Sequence, residues 1–132
     1  MKLLFIIAVF AVGAVAQDSK LDYEFFKTKV QPIFLKKREG HARCYVCHST
    51  GTPFRLQRLS PGAAFWDEEQ SRKNFKAVQA MVNLEHPEES PLLRHPLSEE
   101  AGGDAFHSGG KHFHSRSDPE WVVLQEFVEG RK

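Results

Sequence analysis

The most chemically pointed stretch of the chain is Cys44-Tyr45-Val46-Cys47-His48. Two thiols three positions apart, followed at once by an imidazole, form the C-x-x-C-H pattern of covalent haem attachment. The spacing suits the chemistry. Two thiols must reach vinyl groups on neighbouring pyrroles of one macrocycle, and the next residue must turn its ring beneath the iron. A thioredoxin-like redox pair shares C-x-x-C but needs a βαβ context, which this chain lacks. A structural zinc site needs four ligands, usually with a second matched pair, and the chain has no further cysteine. One haem c per chain is therefore expected, with Cys44 and Cys47 as thioether anchors and His48 as the proximal iron ligand. Because both cysteines fall inside one motif, no disulfide can staple the fold.

The other side of the iron needs its own donor. The chain has two methionines, Met1 and Met81. Met81 falls at an apolar position of a helical pattern, where core packing is the plainer reading. That leaves histidines. His107 sits among Gly102, Gly103, Gly109 and Gly110, residues that let backbone approach a cofactor closely. His95, His112 and His114 remain open as alternatives.

Helices must position these groups. Leu21 to Lys37 carries Phe26, Val30, Ile33 and Phe34 at helical spacing. Pro32 predicts a kink or break within it. Lys36-Lys37-Arg38 suits the helix's negative end, and Gly40 its cap. Phe54 to Pro61 reads as a short extended segment. Asp67 and Gln70 form a capping pattern for a second helix reaching about Asn83, with Phe75, Val78, Met81 and Val82 on its buried face. His86 to Pro96 reads as loop with a helical turn near Ser90 to Arg94, and Ala101 to Ser117 as loop. Asp118-Pro119-Glu120 starts a last helix with Trp121, Leu124, Phe127 and Val128 as its stripe and Gly130 as its stop. Phe25, Phe26, Phe34, Phe54, Phe75, Phe113 and Trp121 are expected to line the haem pocket or the core.

Residues 1–16 have the form of a secretory signal peptide: a basic start, an apolar run from Leu3 to Val15, and Ala14-Val15-Ala16 as a cleavage pattern. The run is shorter than the roughly 18–20 residues a bilayer span needs. No cysteine lies near the cleavage point, which excludes a lipoprotein anchor. The expectation is an exported protein, periplasmic or extracellular, whose single domain covers 17–132. Removing Lys2 leaves 17 basic residues against 17 acidic ones. Such balance argues against nucleic-acid binding, which usually shows as a basic excess.

Four stretches carry a resemblance. They are Phe26-Lys27-Thr28-Lys29-Val30-Gln31-Pro32-Ile33-Phe34, the motif Cys44 to His48, Ser90-Pro91-Leu92-Leu93, and His107-Ser108-Gly109-Gly110-Lys111-His112-Phe113 before a final helix. Together they resemble the class I-like monohaem cytochromes c, and more narrowly the small planctomycete-type cytochrome c domains, over about Tyr23 to Gly130. Ser108 departs from that pattern, where glycine is more usual. The resemblance implies a mainly α fold: a single class I-like cytochrome c domain of three or more helices, its long loops wrapped around one covalently bound haem. It also maps the distal-loop histidine onto His107, with His95 as the chief rival.

The function expected is electron transfer by a bis-histidine haem, of lower potential than a methionine-ligated one. The partners would be a redox donor and acceptor, or a membrane-bound electron-transfer complex in which the chain is a subunit. An enzyme is not expected; a peroxidase would need an open iron and a distal acid-base group, for which only Glu99, Glu100 and Asp104 lie nearby in sequence. A gas or redox sensor with a displaceable distal ligand is the alternative. Pro53 is a candidate to fix the His48 ring through the carbonyl before it. Arg55 and Arg58 are candidates to pair with propionates, against a plainer reading as solvated charges.

Overall fold

The computed structural model describes residues 20–132, so the signal-peptide reading of 1–16 lies outside the described residues. The described chain is mainly helical and contains no strand, only isolated bridges pairing Arg38 with His41 and Leu97 with Phe113. None of its helices is long and apolar enough to cross a membrane.

Helix α1 runs through three consecutive stretches: α-helical Tyr23–Phe25, π-helical Phe26–Val30 and α-helical Gln31–Leu35. Asp22 caps it, its carboxylate accepting from the Phe25 N–H at 2.6 Å. Pro32 falls in the first turn of the last stretch, as expected, but the helix runs on through it without a gap. A proline there cannot donate to the carbonyl four residues back, and its ring crowds that carbonyl. The chain answers by widening the preceding turn, so that Gln31 N–H reaches back five residues to Phe26. The helix stops at Leu35, where Lys36 turns extended. Lys36-Lys37-Arg38 therefore lies outside it. Gly40, at φ +72°, serves a tight turn closed by His41 N–H to Arg38 C=O (3.2 Å) instead of a helix cap.

Helix α2 is the motif itself, Cys44–His48. Helix α3, Glu68–Gln79, has the expected capping box between Asp67 and Gln70. It ends four residues before Asn83, and Met81 and Val82 follow it in turns. Its buried positions include Ser71 and Asn74 as well as Val78. Those polar groups are satisfied. Gln31 donates to Ser71 (3.0 Å), Asn74 donates to Gln31 (3.4 Å), and Gln57 N–H donates to the Asn74 carbonyl oxygen (2.7 Å). The segment from Phe54 onward is thereby pinned without a ladder partner. Trp66 Nε1 donates to Gln57 C=O at 2.7 Å.

Helix α4 is the short Pro91–Arg94, and α5 is Pro119–Val128. Asp118 caps α5 through Glu120 N–H (3.0 Å). At its other end Gly130 N–H bonds Phe127 C=O (3.0 Å) and Arg131 N–H bonds Glu126 C=O (2.9 Å), the paired closure of a Schellman motif. Helices α1 and α5 meet in the core. Phe26 is fully buried, with the rings of Phe34, Phe75 and Phe127 at 6.4, 5.3 and 5.9 Å. The buried rings of Phe26, Phe34 and Phe127 each contribute about 1.5–3 kcal/mol by leaving water.

Candidate functional site

An apolar cavity of about 290 Å³ opens between the C-terminal end of α1, the motif helix and the loop before α5. A single water needs only about 15 Å³ by the same kind of measure, so the space is of ligand size. Ile33, Phe34, Phe54, Leu92, Phe113 and Leu124 supply its apolar wall. Of the expected aromatics, Phe34, Phe54 and Phe113 thus line the cavity. Phe26 and Trp121 belong to the buried core, and Phe25 and Phe75 pack partly buried against it. Met81 packs partly buried against the core, as expected, and also lines the cavity.

Cys44, Cys47 and His48 all face this space. Both thiols are free. Burial pushes the Cys44 thiol up, opposed by a backbone hydrogen bond and by the charge of Arg38. His48 is lowered, chiefly by burial, against an opposing hydrogen bond to Phe54 C=O. That carbonyl can only accept, so His48 Nδ1 carries the proton and donates to it at 3.0 Å. Thr52 Oγ1 lies 3.1 Å from the same nitrogen and also donates to Phe54 C=O. The ring is therefore a neutral imidazole whose Nε2 lone pair is uncommitted. The orienting carbonyl belongs to Phe54, one residue after Pro53, and not to the residue before it. Leu56 N–H in turn bonds His48 C=O (2.7 Å), tying this strap to the motif helix.

The opposite wall repeats the device. His107 Nδ1 donates to Gly110 C=O at 2.7 Å, within a turn closed by Gly110 N–H to His107 C=O (2.8 Å). The His107 ring lies 6.2 Å from that of His48, with planes 19° apart. Gly110, at φ +82°, holds a backbone conformation that favours glycine, and the His107 ring lies against Gly109.

His95 lines the cavity as well, its ring 6.3 Å from His107 and nearly parallel at 14°. Its Nδ1 is taken by the Asp104 carboxylate, and its side chain is half exposed. His112 is buried on the same wall. Burial, with His41, His107 and Arg38 near it, lowers its pKa to about 4, which keeps it neutral. Its ring packs 4.9 Å from that of His41, a partner that residue spacing did not suggest. His114 is exposed and, like Arg55, Arg58, Glu99 and Glu100, takes no part in the cavity wall.

The loop carrying His107 is closed at its base. Ser98 N–H bonds Phe113 C=O (2.8 Å), and Phe113 N–H bonds Pro96 C=O (3.0 Å). Asp104 N–H bonds Arg94 C=O (3.1 Å), and the side chains of Arg94 and Asp104 pair at 3.2 Å.

Comparison with known proteins adds no relative: no protein-family model matches the chain, and neither the curated proteins nor the solved structures yield a match.

Proposed function

We propose that this chain is an exported monohaem c-type cytochrome that transfers electrons, its haem anchored through Cys44 and Cys47 and ligated by His48 and His107. One observation carries the reading: a C-x-x-C-H helix borders an apolar cavity across which a second imidazole is oriented like the first. The rings of His48 and His107 lie 6.2 Å apart with their planes 19° from parallel, and both would be available to hold the iron of a bound haem. Each Nδ1–H is held by a backbone carbonyl, which fixes the tautomer and raises the basicity of the other nitrogen.

When bound, haem supplies one-electron redox chemistry. The chain's own residues would do the rest. Cys44 and Cys47 hold the macrocycle edge, His48 and His107 set the ligand field, and Ile33, Phe34, Leu92 and Phe113 exclude water from the iron's charge change. His95 keeps its place as the rival distal ligand, since the Asp104 carboxylate on its Nδ1 leaves Nε2 available; its half-exposed side chain and the nearness of the His107 ring to that of His48 favour His107. Electrons would pass between a redox donor and acceptor, or within a membrane-bound complex of which the chain is a subunit.

The test is expression with residues 1–16 in a host that matures c-type haem, followed by visible spectra with and without carbon monoxide. A covalent, low-spin haem indifferent to carbon monoxide is expected, with attachment lost in Cys44→Ala/Cys47→Ala and a high-spin species in His107→Ala. A chain that leaves the host without covalent haem would overturn the reading. Ready carbon monoxide binding would instead mean an open iron and favour a sensor.

A further inference from the structure

Arg38 precedes the motif by six residues and belongs to none of the helices, yet its side chain is only 21% exposed. It reaches four partners in two other parts of the chain. Its guanidinium pairs with Asp118 (3.5 Å) and Glu120 at the start of α5. It donates to His112 C=O (3.4 Å) and lies over the Phe113 ring, 4.6 Å from the centroid. His112 and Phe113 close the loop that carries His107, and both line the cavity. The turn that Arg38 opens also brings His41 against His112, and His41 stands 3.4 Å from where a Gly110 Cβ would be. The residue thus joins the chain entering the motif to the loop facing it. Guanidinium suits this task because its planar fork can pair with carboxylates and stack on an aromatic face at once, which an ammonium cannot do.

We infer that Arg38 is a positioning residue that clamps the His107 loop against the motif helix and so keeps the distal imidazole in place. The inference rests on the haem reading for its consequence but not for its geometry. Lys36 provides the control, since it pairs with the same Glu120 and touches nothing in the loop.

The experiment compares Arg38→Ala, Arg38→Lys and Lys36→Ala in the full chain by two readouts. One is the rate at which the reduced haem protein takes up carbon monoxide at neutral pH. The other is amide hydrogen exchange at Gly110 and Phe113, which needs no haem and is also run on haem-free chain. Arg38→Ala should raise both by about tenfold, since the loop then opens without breaking charge-assisted bonds. Arg38→Lys should recover part of the loss, and Lys36→Ala should match the unaltered chain. If Arg38→Ala merely lowers the melting temperature, with both readouts no different from Lys36→Ala, the clamp is overturned. If the unaltered chain carries no covalent haem, the proposed function fails, and exchange in the haem-free chain still decides the clamp. The clamp stands if loop exchange rises and falls if it does not.

Discussion

The two walls of the cavity orient an imidazole by the same bond and build that bond differently. On the motif side, the carbonyl holding His48 comes six residues later, on a strap whose course is fixed by Leu56, Gln57 and a buried amide and hydroxyl set on α1 and α3. On the facing side, the carbonyl holding His107 comes three residues later, inside a glycine turn closed by its own backbone bond. One ring is placed by tertiary packing and the other by a local turn that must itself be held. The first arrangement spreads its support over many groups. The second concentrates it in a few close approaches of backbone and in side-chain pairs at the loop base.

If that contrast is right, a single methyl should damage the facing loop more than any one polar deletion damages the strap. Gly103 provides the severest case. A Cβ there would lie 2.9 Å from Arg94 C=O and closer still to Leu97 C=O, both backbone atoms with little room to move. Gly103→Ala is expected to cost about 3 kcal/mol or more, measured by the denaturant midpoint; a loss under about 1 kcal/mol would mean that the loop base yields. Next comes Asn74→Ala, which strands Gln57 N–H and one bond of Gln31. Its cost should be about 1–3 kcal/mol, and hydrogen exchange at Gln57 should rise while Gly110 stays protected. Equal effects at both positions would erase the distinction. The smallest effect is expected far from both walls. Glu68 is exposed at the surface, and the hydrogen bond from Lys27 holds its carboxyl below the usual carboxylate range. Its small stabilisation is present above that range and is lost as pH falls through the lowered value. Glu68→Gln should flatten this acid-side slope in thermal melts without altering either wall.

Much of the frame was legible because helix ends carry local signals. Asp67 with Gln70, and Asp118 before Pro119, announce helices whose caps form as spelled. Trp121, Leu124, Phe127 and Val128 read directly as the stripe of α5, and all four are buried. The histidine motif and the glycine-flanked His107 were legible for the same reason, since their residue types are few and closely spaced. What escaped reading depends on contacts between distant positions. Apolar periodicity cannot see that Gln31, Ser71 and Asn74 are buried, because their burial is permitted only by one another. The widened turn before Pro32 solves a clash that more often ends a helix. The pairing of His41 with His112, and the reach of Arg38 to α5, join residues about 70 to 80 positions apart.

The buried polar set linking α1, the strap and α3 also has a kinetic side. Its bonds close loops of 40 and 43 residues between Gln31 and α3, whereas the Gln57 bond to Asn74 spans 17. Long closures carry an entropic cost that must be met before their contacts reward it. The strap's own bonds are the short closures: Phe54 C=O lies six residues from His48, and Gln57 seventeen from Asn74. On that ground the strap can settle on the motif helix and α3 without waiting for Gln31, and the docking of α1 is the step that bears the larger entropic cost.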